Sequence, residues 1–410
     1  MGLAKRAWME EMERGYSLVD DAYVCAGCYQ EEGVKKFIKR YSVLGKCSYC
    51  GRKKKVCPLN DVIEHIAGCI RLEWGDPNNE GLPWESREGG WQFGNVCDTW
   101  DLLHDLELTC ESETLNDDII GAFHQSEWCR VNPYSVSPDR TLLYGWEKFS
   151  KFIIHTARFV FYKAENTSYD RDQHDEMNPV DILDALGNIV DSLNLVRTVP
   201  AGRKIYRVRI ANQDVHYTQA KELGSPPGHL ANMPNRMSPV GISMFYGAFD
   251  LDTAIKETFD HSNSDNKKAV CGHFAPTRDL TVIDLSESYI PSLFDPDERE
   301  SRYKLKFLCD FIDDFSKPIE RGDKAHADYV PTQVVTEYFR HIYRTENGNR
   351  VDGIIYRSSK NNVKAIVIFA DSTSCVDPKE KKADDALLVL RKVSDVDLAT
   401  YVTSDDDLAF

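Results

Sequence analysis

The stretch NRMSPVGISMFYGAFDLDTAIKE, residues 235–257, places an arginine, a tyrosine and a glutamate around one strand–turn–helix corner. Within it ISMFYGAF, 242–249, is a continuous apolar run of strand length, which predicts a buried strand. Asp250 or Asp252 follows and can cap a helix starting near Thr253, because a carboxylate accepts the first free N–H groups of a helix. That helix carries Glu257. Ahead of the strand, GSPPGHLANMPNRMSPVG (224–241) is too rich in Pro and Gly for regular structure, so Arg236 sits on a loop.

Working outward, GRKIYRVRIA (202–211) alternates and predicts a strand, with Arg207 and Arg209 on one face and Tyr206 and Val208 on the other. LTVIDLS (280–286) and KAIVIFAD (364–371) predict further strands. VDGIIYRSSKNN (351–362) predicts a strand that ends in a polar turn at Ser358 and Ser359. YVPTQVVTEYFRHIY (329–343) predicts a helix with Pro331 in its first turn. Strand and helix signals thus mix over 196–395, which gives an α+β reading.

A nicotinamide dinucleotide whose glycosidic bond is to break makes four demands. Its leaving group is already a cationic ring, so strong acid catalysis is unnecessary. The sugar carbon becomes oxocarbenium-like and needs a nearby negative charge. The pyrophosphate needs guanidinium groups. The flat ring needs an aromatic or apolar wall. Arg207, Arg236, Tyr246, Glu257 and Ser358 can supply these from strands and strand ends. Composition alone does not select this set; singly, each would be an ordinary surface, core or turn residue.

On IYRVR, NRMSPVG, FYGAFDLDTAIKE, VDGIIYRSS and VIFAD (367–371), nearly all of 200–372 resembles the RES domain, named for an Arg, a Glu and a Ser. The resemblance implies an ADP-ribosyltransferase-like split β core with flanking helices, and consumption of NAD+. Arg207, Glu257 and Ser358 would be the naming residues, with Ser359 an alternative to Ser358. Arg236 and Tyr246 would line the NAD pocket. Family members act as toxins by hydrolysing or phosphorolysing NAD+ or by modifying a protein. The expected function is therefore cleavage of the nicotinamide glycosidic bond of NAD+, with ADP-ribose passing to water or phosphate. The alternatives are a protein ADP-ribosyltransferase and a non-catalytic interaction module. An antitoxin, sensor or target protein would be the partner, and self-association is left open.

Near the N-terminus stand CAGC, 25–28, and CSYC, 47–50, two C-x-x-C pairs with 18 residues between them. Each pair forms a tight knuckle aiming two thiolates at one point, and two knuckles complete a tetrahedron around Zn2+. A closed set of Cys25, Cys28, Cys47 and Cys50 leaves no open position, so the zinc would be structural. Cys57 and His65 lie close enough to compete. Most of the other cysteines among the twelve scatter without pattern, as small buried hydrophobes do.

The sequence divides into a cysteine module (1–70), a mainly helical region (71–195), the RES-like region (196–395) and an acidic tail (396–410). The helical region fits the HEPN-like extension of longer RES proteins and would regulate activity. It lacks the Arg-x(4–6)-His pair of catalytic HEPN nucleases; RIANQDVH (209–216) and RGDKAH (321–326) match only as letters. The chain has 410 residues, 42% hydrophobic and 28% charged, with net charge −16. Such a charge disfavours broad nucleic-acid binding, the basic block Arg52–Lys55 apart. No apolar run reaches the roughly 18 residues of a membrane span, and MGLAKRAWMEEMERGYS is no secretory signal, so a cytoplasmic location is expected.

Overall fold

The computed structural model describes residues 3–163, 177, 181–259, 267–317, 325–380 and 385–398. His174, most of RGDKAH and the acidic tail beyond Leu398 lie outside the described residues. The architecture is α+β. The chain forms two compact units, one of 1–138 with 290–306, the other of 139–289 with 307–410.

The second unit is built on a nine-stranded sheet. Its strands are β1 (Val196–Val199), β2 (Ile205–Asn212), β3 (Phe245–Ala248), β4 (Lys267–Pro276), β5 (Leu280–Asp284), β6 (Gly353–Arg357), β7 (Lys364–Ile368), β8 (Cys375–Val376) and β9 (Leu388–Asp397). Their order across the sheet is β8-β9-β4-β2-β3-β7-β6-β5-β1. The β5–β6 and β8–β9 pairs are parallel and the others antiparallel. One join is weak. β2 pairs with β4 from Ile205 to Asn212, but with β3 only at Tyr206 opposite Ala248. The sheet is therefore split between β2 and β3, leaving main-chain groups and side chains there without a covering ladder.

Apolar residues line both faces of the sheet. Ile205, Phe245, Phe274, Ile366 and Ile368 share one core cluster. Val208, Ala248, Ala269 and Cys271 share another with Ala254 and Ile255. These last two come from α1, Leu251–Thr258, whose N-cap Asp250 accepts from the Thr253 N–H at 2.8 Å. α2, Val330–Glu337, carries Pro331 at its start and continues as a π-helical turn through Ile342.

In the first unit a core runs from Tyr16, Val24 and Ile38 through Ile63 and Ile66 to Leu102, Leu115 and Trp128. Leu293 and Phe294 belong to it. The packed units thus depart from the division read along the chain, since 290–306 falls within 196–395. The reason is side-chain chemistry. Arg302 Nε donates to the buried Glu73 carboxylate at 3.1 Å, and Lys36 pairs with Asp295 at 3.0 Å. The 71–138 segment also holds short strands, Trp74–Gly75, Cys97–Asp98 and Glu127–Arg130, where a mainly helical region is expected from sequence.

His65 shows how burial couples this unit to pH. Its ring stacks on Phe37 with centroids 4.0 Å apart, and Nε2 lies 2.8 Å from the Phe294 carbonyl oxygen. Burial pulls its pKa below the ordinary value. Unfolding therefore takes up a proton once the pH falls below about 6.5. Stability is full above that value and declines as the pH drops through the folded pKa. We expect urea midpoints to fall between pH 7 and 5.5, with a shallower fall in His65→Gln.

Candidate functional site

Arg207 and Tyr246 flank the split between β2 and β3. Arg207 alternates to the face opposite Tyr206. Its Nη1 donates to the Tyr246 carbonyl at 2.7 Å, and its guanidinium lies 5.3 Å from the centre of the Phe245 ring. Arg209, two residues on, donates from Nη2 to the Gly224 carbonyl at 3.2 Å. The Nε of each arginine is buried and makes no hydrogen bond. Burial lowers both pKa values, and the neighbouring Arg209 charge helps bring Arg207 down to about 10. Both remain cations at neutral pH. Among the described residues neither has a carboxylate partner. Two adjacent, part-buried cations without a counter-ion are unfavourable by themselves, and a bound anion would supply what they lack.

Tyr246, from β3, is half-buried, and its hydroxyl lies 2.9 Å from Ser238 Oγ. Burial raises its pKa to about 12, so it is a neutral wall. Arg236 sits in a tight turn closed by reciprocal Asn235–Ser238 main-chain bonds. α2 holds the turn: Gln333 Nε2 donates to the Asn235 carbonyl at 2.8 Å, and Thr332 Oγ1 to that of Arg236. The Arg236 guanidinium donates to the Lys317 carbonyl at 2.8 Å. Arg207, Tyr246, Asn235, Ser238 and Met233 help line a cavity of about 140 Å3.

Arg236, expected to line the pocket, is outside that cavity wall, as are Arg209, Glu257 and Ser358. Glu257 stands in the last turn of α1, and its Oε1 is buried with no hydrogen-bond partner. Tyr356 links the two groups. The ladder sets Tyr206 opposite Ala248, Ala248 opposite Ala365, and Ala365 opposite Tyr356. The buried Tyr356 hydroxyl is driven well above its ordinary pKa, first by burial and then by the charge of Glu257; Arg236 and Arg207 pull the other way. The same hydroxyl thus feels the carboxylate and both guanidinium groups.

Ser358 lies two residues past Tyr356. Its N–H extends the ladder to the Val363 carbonyl at 2.9 Å. It is 1% exposed, whereas Ser359 is exposed, so burial separates two serines that sequence leaves equal. Asn361 Nδ2 donates to Thr253 Oγ1 at 2.8 Å and joins this turn to α1. The sequence reading gave no role to Arg209 or Tyr356. Strand alternation was the available signal, since each lies two residues from a residue of the set.

The cysteine pairs meet as their spacing predicts. The four sulfurs all lie within 4.8 Å of one another, with Cys25–Cys28, Cys25–Cys50 and Cys28–Cys47 separations of 3.7, 3.7 and 3.6 Å. A tetrahedral ion with Zn–S bonds near 2.3 Å sets sulfurs about 3.8 Å apart, so the thiols fit such an ion. Each knuckle is closed by a main-chain bond: the Cys28 N–H donates to Cys25 O and the Gly51 N–H to Cys47 O, each at 3.0 Å. Gly51, at φ +69°, permits the second turn. Cys57 and His65 lie outside the cluster.

No helix of the described residues is long and apolar enough to cross a membrane. No curated protein matches the chain. A solved structure entitled "Crystal structure of the M.tuberculosis MbcT-MbcA toxin-antitoxin complex" aligns over 52% of this chain and 94% of its own, at 15% identity and TM-score 0.28. That likeness is too weak to support a statement about fold or function. The family matches are specific. Residues 41–167 match HEPN/RES N-terminal domain 1 and residues 204–390 match the RES domain, a domain of NAD-processing enzymes. The chain therefore belongs to the RES-domain family, in the form that carries a HEPN/RES N-terminal domain ahead of the RES domain.

Proposed function

We propose that the RES domain breaks the bond between nicotinamide and ribose in NAD+ and passes ADP-ribose to water or phosphate. The observation that carries this reading is a pair of unmatched charges. Among the described residues, Arg207 and Arg209 lack an anion, and Glu257 presents a buried oxygen that lacks a donor or cation. A dinucleotide supplies both, with its pyrophosphate for the guanidinium groups and its cationic sugar carbon for the carboxylate.

The bonding electrons leave with nicotinamide and quench its ring charge, so no acid is required. Glu257 stabilises the oxocarbenium-like carbon. The acceptor oxygen then bonds to that carbon and loses its proton to Glu257 or solvent. Water gives ADP-ribose; phosphate gives ADP-ribose 1″-phosphate. Tyr246 walls the nicotinamide side, Ser358 bonds the ribose or amide, and Arg236 makes a further phosphate contact. Tyr356, kept protonated, adds no second negative charge beside Glu257.

Cys25, Cys28, Cys47 and Cys50 would hold Zn2+ as a structural tie within the first unit. That unit, with an antitoxin, sensor or target protein as partner, would restrain or release the RES site. Cutting the chain at 195 is not a clean test of this restraint, because it strips Leu293 and Phe294 of their core.

The direct test incubates purified protein with NAD+, with and without phosphate, and identifies products by mass. Nicotinamide release is expected in both cases, with the phosphorylated product added by phosphate. Label retained on a protein would favour ADP-ribosyl transfer, and intact NAD+ would leave an interaction module. Arg209 provides a second check. Arg209→Met removes one charge-assisted contact worth roughly 1.5–3 kcal/mol. KM for NAD+ should rise about 10- to 100-fold with kcat within a few-fold. The thermal midpoint should not fall, because a like-charge pair is relieved.

A further inference from the structure

We propose that the hairpin formed by Val43–Lys46 and Lys53–Pro58 docks the phosphate backbone of a nucleic acid. Residues 33–60 contain nine Lys and Arg and no Asp or Glu, in a chain of net charge −16. The helix Glu32–Tyr41 contributes Lys35, Lys36, Lys39 and Arg40. Lys35, Lys36 and Arg40 are matched by Glu32, Asp295 and Asp297. Lys39, Lys46, Arg52, Lys53, Lys54 and Lys55 are all exposed. None of these six makes an ion pair among the described residues.

The hairpin holds its cations at a cost. Lys46 stands directly opposite Lys53, and like charges across a ladder are destabilising. Nor is there a core beneath them. Val43 and Leu44 are 61% and 87% exposed, and Lys53, Lys54 and Lys55 are exposed in succession. The hairpin therefore leaves Lys46, Lys53 and Lys55 exposed, while Lys54 reaches over the first knuckle. The cysteine centre accounts for part of this charge only. Zn2+ with four thiolates carries two negative charges, which about two cations would balance. Lys54 is the nearest to the first knuckle, its Nζ 3.5 Å from where a Cβ on Gly27 would stand. Several cations remain unmatched.

The overall negative charge does not cancel the hairpin. At physiological salt, charges further apart than about 8 Å are largely screened, so an exposed patch acts by its local sign. Lys53 and Lys55 share a face about 6.7 Å apart along the strand. A regular row of flexible cations suits a regular row of phosphates. The expected contact is sequence-tolerant and strongly salt-dependent.

The test uses full-length, zinc-loaded protein and fluorescence anisotropy with labelled 20-nucleotide single-stranded RNA, single-stranded DNA and duplex DNA. Five or so neutralised phosphates predict a log–log salt slope of about −3.5 on the single strands and −4.5 on the duplex, a roughly 130- to 500-fold loss of affinity between 50 and 200 mM salt. Lys53→Gln with Lys55→Gln should flatten the slope by about 1.5, at unchanged zinc content and with a thermal midpoint that holds or rises as the Lys46–Lys53 pair is relieved. Lys53→Arg with Lys55→Arg should preserve it. If the glutamine pair disturbs zinc loading, Arg52→Gln should flatten the slope by roughly 0.8. No binding to any of the three probes at 50 mM salt would overturn the proposal. So would an unchanged slope in the glutamine variants, or binding to anionic vesicles or polyglutamate in place of nucleic acid.

Discussion

Glu257→Gln is expected to abolish NAD+ cleavage while leaving the RES domain folded. Glutamine has nearly the same shape and keeps the last turn of α1, but it carries no charge to face the developing cation. Losing one preorganised electrostatic contact in a water-poor site typically lowers kcat by roughly 10²–10³-fold. KM should change by only a few-fold, because in the proposed reading Arg207, Arg209 and Tyr246 would hold other parts of the substrate. Stability should hold or rise, because Glu257 Oε1 is buried with no partner and charge burial is unfavourable. Nicotinamide release and a thermal melt give both readouts. A folded variant that keeps more than about a tenth of the wild-type kcat would remove Glu257 from the chemistry.

Loss of the cysteine centre should have the second large effect, on the first unit. Cys28 and Cys47 are 2% and 0% exposed and sit in that unit's core. Structural zinc in small domains contributes an apparent 10–16 kcal/mol or so. That matches or exceeds the roughly 5–15 kcal/mol by which whole domains are stable. Cys28→Ser should lose its metal and the cooperative unfolding of residues 1–138, seen as lost amide protection there by hydrogen exchange. A chelator should reproduce this in the wild type. Cys57→Ser, outside the cluster, should keep one metal per chain. A wild-type chain without metal, or a Cys28→Ser chain with full protection, would end the zinc assignment.

Much of the RES region could be read residue by residue because its signals are local. Alternation marked β2, apolar runs marked β3, β5, β6 and β7, and Asp250 marked the start of α1. Each C-x-x-C turn is also local, so spacing alone brought four thiols together. The two ten-residue strands β4 and β9 were not legible. β4 is buried on both faces, so KKAVCGHFAP has no alternation to show. β9 carries exposed Arg391 and Lys392 in mid-strand and pairs with β4 from far along the chain.

Sequence by itself determined which residues were candidates for the site and that the cysteines form one centre, since both follow from neighbours a few positions apart. Tertiary structure alone decided that β2 and β3 part after one residue pair. It also decided that Arg207 and Arg209 lack a counter-ion among the described residues, that Ser358 and not Ser359 is buried, and that 290–306 packs with the first unit. These outcomes depend on desolvation and on contacts between distant segments, and neither is written in local periodicity.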